Sequence, residues 1–174
     1  LTRARPIFGS PAGREAVQRV IDDVLRVSRD PVELARQAVK MRAMIATHKP
    51  PAGPLDIKLA EGGLVDLEFL VQVTQLSSRT AFDPDLGASV AALIVAGLLP
   101  PELSAAHDLL TRYLVVSRLV SPGSIEPPEA TRPLVAARCG AEDWGGLLAM
   151  LDEARQSVAR SWGAIVAGVS TEEE

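Results

Sequence analysis

An uninterrupted helical pattern occupies the last part of the chain, and it limits what the chain can fold into. Apolar residues recur there at intervals of three and four, namely Trp144, Leu147, Leu151, Ala154, Val158, Trp162, Ile165 and Val169. That spacing places these side chains along one face of an α-helix. A helix with such a face needs other elements to cover it, so the sequence predicts further helices around this one.

The rest of the chain repeats the pattern in shorter segments that proline and glycine separate. Helices are expected over about 10–28, 31–48, 64–78, 86–98, 102–120 and 129–139, with a short extended segment over 55–59. The predicted buried stripes of the first two helices are Ala16, Val20, Val24 and Val27, then Leu34, Ala38, Met41 and Ile45. The helix over 64–78 is apolar nearly all round, which is typical of a helix at the centre of a bundle.

These patterns predict an all-α fold: an antiparallel bundle with a four-helix up-and-down core and additional helices. Alanine, leucine and valine fill the apolar positions, and aromatic residues make up only 3% of the chain, which also favours helix over sheet. We expect the bundle to cover 10–170 and residues 171–174 to form a disordered acidic tail. Because the chain begins with Leu1, we expect residues 1–9 to be a linker from a preceding domain.

Charge and composition exclude several classes of function. The net charge is −4 without a basic run, which predicts no binding to nucleic acid. No uninterrupted apolar stretch reaches about 18 residues, which predicts no membrane span. Cys139 is the only cysteine, so an intrachain disulfide is impossible and a reducing, cytoplasmic location is expected. The two histidines lie far apart in the sequence, so we expect no zinc site.

The acidic residues offer no convincing catalytic or metal site. Asp22 and Asp23 are adjacent on a predicted helix, so their side chains diverge by about 100°. Asp66 and Glu68 would point about 200° apart on the predicted central helix over 64–78. Known phosphate-binding, zinc-protease and serine-hydrolase motifs are missing. We therefore predict no catalytic residue, no metal ligand and no bound cofactor in this chain alone.

The segment from Asp56 to Gln72 carries the strongest sign of function. Lys58 and Glu61 precede Gly62 and Gly63, and two glycines at a helix start allow a sharp turn or a close backbone approach. Free N–H groups at that helix start could also receive a phosphate or a carboxylate. The polar side chains on the otherwise apolar helix that follows suggest an interface strip, namely Glu68, Gln72 and Gln75.

Two interpretations of this segment stay open. In the first, the glycines make a turn, Asp66 caps the helix and Glu68 pairs with an arginine. In the second, the same residues form one wall of a nucleotide or protein site.

The segment also resembles a family signature. The run Asp56-Ile57-Lys58 followed by Glu61-Gly62-Gly63-Leu64-Val65-Asp66-Leu67-Glu68-Phe69 resembles D-[IV]-K-x-x-x-G-G-[IL]-x-D-[IL]-E-F of the glutamine synthetase adenylyltransferases. Met41-Arg42, the opening nine residues and the tryptophans of the last helix are also similar to that family. The resemblance implies the C-terminal helical domain, which follows the adenylylating nucleotidyltransferase domain.

The resemblance implies a role in controlling nitrogen assimilation. Enzymes of this family transfer AMP from ATP to a tyrosine of glutamine synthetase, and the PII signal protein and glutamine regulate them. The partners implied are therefore the nucleotidyltransferase domain, glutamine synthetase and PII. ATP and Mg²⁺ are expected only through the nucleotidyltransferase domain, whose D-x-D carboxylates have no counterpart here. Lys58, Glu61, Gly62, Gly63, Asp66 and Glu68 are expected to face its active site.

Two alternatives remain. The helical region of PII uridylyltransferase belongs to the same superfamily, although its central signature is less similar to this one. From a different class, the chain could be a stand-alone helical module for protein interaction.

Overall fold

The computed structural model describes residues 2–122 and 126–170, and over these ranges the chain contains helices and no strand. The helices are α1 (Pro11–Leu25), α2 (Pro31–His48), α3 (Leu64–Ser78), α4 (Leu86–Val95), α5 (Glu102–Val120), α6 (Arg132–Arg138) and α7 (Trp144–Ser170). A 3₁₀ turn over Glu129–Thr131 precedes α6. The predicted all-α class is confirmed. The up-and-down order of a four-helix core and the domain limits stay predictions, and the tail over 171–174 lies outside the described residues.

Side-chain caps fix where the first two helices begin. The Ser10 hydroxyl accepts a hydrogen bond from the Gly13 N–H at 3.2 Å, and the Asp30 carboxylate accepts one from the Val32 N–H at 2.9 Å. Proline follows each cap at the first helical position, where its missing N–H has no cost. Both helices therefore begin where the sequence predicts.

The predicted central position of α3 is confirmed. It contacts α2, α4, α5 and α7, and α7 in turn also contacts α2, α5 and α6. The core between these helices contains mainly leucine and valine, among them Leu67, Leu70, Val71, Leu93, Leu103, Leu110, Val135, Leu147, Leu151 and Val158. Helices α3 and α7 each contact four other helices, so the residues on them that face the core are surrounded by several elements.

The predicted stripe of α1 is wrong. Val20 is 62% exposed and Val24 is also exposed, whereas Ile21 and Leu25 are the buried residues of this helix. The valines and the pair at 21 and 25 both follow helical spacing, so periodicity alone could not decide between the two faces. Within the described residues, α1 has no extensive contact with another helix.

Four further sequence predictions need correction. Residues 55–59 form successive turns and not an extended segment, because Asp56 turns its side chain back to the local backbone. On α2, Ala35 and Ala38 are buried, whereas Met41 is exposed. Helix α4 ends at Val95, where Gly97 with φ +71° closes it, and the helix expected over 129–139 divides into the 3₁₀ turn and α6.

Crossing a membrane requires a helix that is both long and apolar. None of the helices in the described residues combines that length with that apolar character.

Cys139 is buried as a free thiol, and burial raises its pKa, so the thiol stays protonated at neutral pH.

The ionisation of Tyr113 gives a first testable prediction. This residue, the only tyrosine of the chain, is 1% exposed, and its hydroxyl has no hydrogen-bond partner among the described residues. Burial raises its pKa from 10.0 to about 12. The folded state thus holds the proton more tightly than the unfolded state, so stability should fall as the pH rises from about 10 to about 12.

Ultraviolet absorbance of tyrosinate measures this shift directly. We expect native protein to ionise near pH 12 and guanidinium-unfolded protein, the control, to ionise near about 10. A native titration midpoint close to that of unfolded protein would show that the phenol reaches water.

Candidate functional site

The segment between α2 and α3, residues 49–63, is folded by its own side chains. Asp56 is buried, and its two carboxylate oxygens accept hydrogen bonds from the N–H groups of Ala52 and Leu59, both at 3.1 Å. These bonds explain why the first residue of the signature is an aspartate, since a short side chain can satisfy two nearby backbone donors. The segment therefore has a defined path, although it contains no regular element.

The start of α3 uses its N–H groups internally. The Gly62 N–H donates to the Asp66 carboxylate at 2.7 Å. The next three N–H groups, of residues 63, 64 and 65, donate to the carbonyl oxygens of residues 60, 57 and 58 at 2.9–3.1 Å. An N-terminal helix end binds an anion through free N–H groups. Because these four groups are occupied, they do not offer the phosphate site that the sequence suggested.

The glycine pair is required by internal packing. Gly62 has φ +69°, and a Cβ atom there would lie 2.1 Å from the carbonyl oxygen of Arg155 on α7. A Cβ atom at Gly63 would lie 2.5 Å from the carbonyl oxygen of Ile57. Both glycines are buried. The close backbone approach predicted for this pair therefore exists, and within the described residues it is an approach to the chain itself.

Asp66 joins α3 to α2 through a buried ion pair. Its carboxylate accepts a hydrogen bond from the Arg42 guanidinium, and Arg42 also donates to the Leu59 carbonyl oxygen at 3.1 Å. Asp66 thus holds the N–H of Gly62 and the side chain of Arg42 at once. If α2 and α3 moved apart, the buried carboxylate of Asp66 would lose its compensating charge, which is energetically costly. The ion pair therefore holds α3 in position relative to α2.

Arg155 fastens the turn to α7. Its guanidinium donates to the carbonyl oxygen of Glu61 at 2.9 Å and to that of Pro54 at 3.3 Å. Together with the close contact at Gly62, these bonds connect residues 54 and 61–62 of the segment before α3 to one position on α7. Sequence reasoning missed Arg155, because nothing in its neighbourhood along the chain marks it as a partner of residues about a hundred positions earlier.

A groove of about 680 Å³ lies beside the turn, between α2 and α3. Its lining residues are Met41, Met44, Ile45, His48, Lys49, Lys58, Leu59, Val65, Glu68, Phe69 and Gln72. The α2 residues follow helical spacing on one face, and so do those from α3. Side chains of the signature reach into this groove, and we take it as the candidate functional site.

The structure divides the predicted signature residues among three places. Lys58 and Glu68 line the groove. Glu61 and Asp66 lie instead at a second cavity of about 430 Å³, beside Trp162. The third group, the two glycines, lies inside the turn. Asp66 and Glu68 thus point to different sides of α3, as their helical spacing predicts.

The predicted polar strip is also divided. Glu68 pairs with Arg3 at 3.2 Å, and Gln72 lines the groove beside it. Gln75 is buried, and its amide donates to the Ala81 carbonyl oxygen at 2.7 Å and to the Ser89 hydroxyl at 2.9 Å. Gln75 therefore stabilises the junction of α3 and α4 and is not available at the surface.

Comparison with known proteins identifies the family. Residues 36–119, which include the groove and the turn, match the family described as GlnD PII-uridylyltransferase. The chain is 37% identical over 92% of its length to the bifunctional glutamine synthetase adenylyltransferase/adenylyl-removing enzyme of Bradyrhizobium sp. (strain BTAi1). It is 34% identical over 93% and 98% of its length to the enzymes of the same name from Mesorhizobium japonicum and Rhodopseudomonas palustris (strain BisB5).

The chain is a homologue of the glutamine synthetase adenylyltransferases. It spans 17–18% of the length of these three relatives. The resemblance found in the signature is thereby confirmed over most of the chain. In this adenylyltransferase homologue, the most specific residues of the signature fall into a structural group (Asp56, Gly62, Gly63 and Asp66) and a groove-lining group (Lys58 and Glu68).

Proposed function

We propose that this chain is the helical domain that follows the adenylylating nucleotidyltransferase domain in an enzyme that transfers AMP from ATP to a tyrosine of glutamine synthetase. The observation that carries the proposal is the similarity to adenylyltransferases over 92–98% of the chain. In this proposal the groove forms one wall of the adenylylation cleft, and it presents Lys58 and Glu68 to the reacting partners. The enzyme acts in the cytoplasm and controls nitrogen assimilation.

The arrangement of the acidic residues supports a positioning role. Transfer of AMP uses carboxylates that hold magnesium beside the phosphates. Here Asp66 is engaged by Arg42 and Glu68 by Arg3. In the described ranges, no three side chains of the metal-binding types come together. These residues do not fit a magnesium site, so we assign binding of ATP and Mg²⁺ to the nucleotidyltransferase domain.

Mixing the isolated chain with ATP, Mg²⁺ and glutamine synthetase should give no AMP transfer. Mass spectrometry of glutamine synthetase, or incorporation of labelled AMP, measures the reaction. The full-length enzyme is the positive control. Turnover by the isolated chain would contradict the assignment of catalysis to another domain.

Changing Lys58→Ala in the full-length enzyme should lower kcat/KM for AMP transfer about 10- to 100-fold, which is typical of a lost positioning contact. Lys58 is exposed, so the variant should keep its fold, which circular dichroism checks. Lys40→Ala is the matched control, because Lys40 is exposed on α2 but does not line the groove. Equal activities of the two variants would contradict a role for the groove in the reaction.

Uridylyl transfer to PII is the second candidate function. The matching family description over residues 36–119 favours it, since that description names PII-uridylyltransferase. The full-length protein distinguishes the two reactions when it is given ATP with glutamine synthetase or UTP with PII. UMP transfer without AMP transfer would replace the first proposal by the second. In the first proposal PII is a regulatory partner and receives no nucleotide.

A further inference from the structure

The groove between α2 and α3 has an apolar floor that is unusually accessible. Met41 and Met44 are 55% and 53% exposed, and they adjoin Ile45, Leu59 and Phe69. Large apolar side chains left open to water in one concave surface mark a binding site. Methionine is flexible and polarisable, and it is frequent on surfaces that accommodate the side chains of peptides.

Positive charge predominates at the edge of this groove. The ammonium groups of Lys49 and Lys58 have no ion-pair or hydrogen-bond partner in the described part of the chain, and both side chains line the groove. The single carboxylate of the groove, Glu68, is paired with Arg3 at 3.2 Å. The whole chain has a net charge of −4, so this local excess of positive charge runs against the overall balance. An anionic partner matches it.

The partner chemistry can be narrowed further. A nucleotide is usually held by backbone N–H groups at a helix start or by arginine forks. The N–H groups of residues 62–65, where α3 begins, are occupied, and no arginine lines the groove. Two flexible lysines beside an apolar floor suit separate carboxylates on either side of an apolar side chain. A peptide offers that combination and a nucleotide does not.

We propose that the groove binds an acidic peptide segment of a partner protein. One apolar side chain of the segment packs on Met41, Met44 and Phe69, and its flanking carboxylates pair with Lys49 and Lys58. This inference names the class of partner for the groove, and it rests on the proposed function only for the biological identity of that partner.

A fluorescein-labelled decapeptide with a central leucine flanked by glutamates tests the inference through fluorescence anisotropy with this chain. Replacing the glutamates by glutamines, or the leucine by serine, should each weaken binding at least about fivefold, since the affinity requires both kinds of contact. Raising the salt concentration from low to high should weaken binding of the glutamate peptide as well.

Variants of the chain locate the binding site. The double change Lys49→Glu and Lys58→Glu should weaken binding about tenfold or more, because it places like charges against the peptide. Lys40→Glu, an exposed change of the same charge outside the groove, should leave affinity unchanged. Met44→Ala should weaken binding about three- to fivefold through lost apolar contact. Equal affinity of the glutamate and glutamine peptides, or equal effects of the groove and control variants, would overturn the inference.

A binding measurement with ATP tests whether the groove holds a nucleotide instead of a peptide. Tight ATP binding that depends on Lys49 and Lys58, without peptide binding, would refute the peptide inference and assign the groove to a nucleotide. If the chain fails to bind the peptide while Lys58→Ala still lowers AMP transfer by the full-length enzyme, the inference fails and the proposed function stands. Peptide binding together with an absence of AMP transfer by the full-length enzyme supports the inference and removes the proposed function.

Discussion

Gly62→Ala is expected to lower the free energy of unfolding by about 2–5 kcal/mol, because two separate effects add at this position. A left-handed backbone, here φ +69°, costs any residue with a Cβ atom about 1–2 kcal/mol. The new Cβ atom would also lie 2.1 Å from the Arg155 carbonyl oxygen, and backbone on both sides has to move. Urea unfolding followed by circular dichroism measures the loss.

Gly97→Ala is the matched control. Gly97 has almost the same backbone conformation, φ +71°, but a Cβ atom there meets nothing within 4 Å. We expect this control to lose only the conformational part, about 1–2 kcal/mol. Equal losses in the two variants would contradict a tight contact between the turn and α7.

The same geometry changes how variants of Gly63 are interpreted. A β-branched side chain at this position would collide with the carbonyl oxygens of Ile57 and Ala60, 2.5 and 2.7 Å from the new Cβ atom. Gly63→Val should therefore impair AMP transfer by disturbing the turn itself. Loss of activity in that variant reports on folding, and Lys58→Ala is the sharper test of the groove.

Trp162→Ala is expected to cost about 3–5 kcal/mol, which is typical of removing a buried tryptophan. Trp162 is 8% exposed on α7, and its ring lies 5.9 Å from the ring of Phe69, centroid to centroid. Its removal therefore leaves a cavity between α7 and the helix that carries the signature. Chemical unfolding followed by circular dichroism gives the value.

Trp144→Ala serves as the comparison. Trp144 lies at the start of the same helix, partly exposed, with the Arg132 guanidinium 5.7 Å from its ring centroid. Trp144 packs only partly buried against the core, and its cation–π contact contributes about 0.5–1 kcal/mol, so the loss should be smaller than at Trp162. A loss below about 1 kcal/mol at Trp162 would show instead that its ring faces solvent or a partner.

The sequence determines the helices most clearly where neighbouring features agree. Helix α3 begins and ends at the predicted residues, since glycine precedes its long apolar run and polar residues follow it. Helix α7 buries six of its eight predicted face residues, namely Leu147, Leu151, Ala154, Val158, Trp162 and Val169. In both helices the apolar pattern extends over several turns, so only one arrangement of the face is consistent with it.

Helix α1 shows the limit of that reasoning. Four positions at helical spacing are apolar, yet the described structure leaves Val20 exposed and buries the neighbouring pair Ile21 and Leu25. Which face of a helix packs inward depends on what lies opposite, and that depends on contacts distant in sequence. A single amphipathic pattern therefore predicts the helix but not its partner.

The candidate site was predictable only in part. The signature identified the correct segment, and helical spacing separated Asp66 from Glu68. The groove itself depends on α2, where Met41, which the sequence predicts to be buried, is exposed together with Met44. The partners Arg42 and Arg155 could not be assigned from spacing, because they contact the turn from 17 and 94–101 positions away.

The two hydrogen bonds of the Arg155 guanidinium have a consequence for folding during synthesis. Its bonds to Glu61 and Pro54 close loops of 94 and 101 residues, so they form only after most of the chain has left the ribosome. Until α7 emerges, the turn has its local hydrogen bonds but no anchor. A nascent chain that stops before Arg155 should therefore lack the contacts that anchor residues 54 and 61 beside the groove, and such truncated products are natural targets for chaperones and proteases.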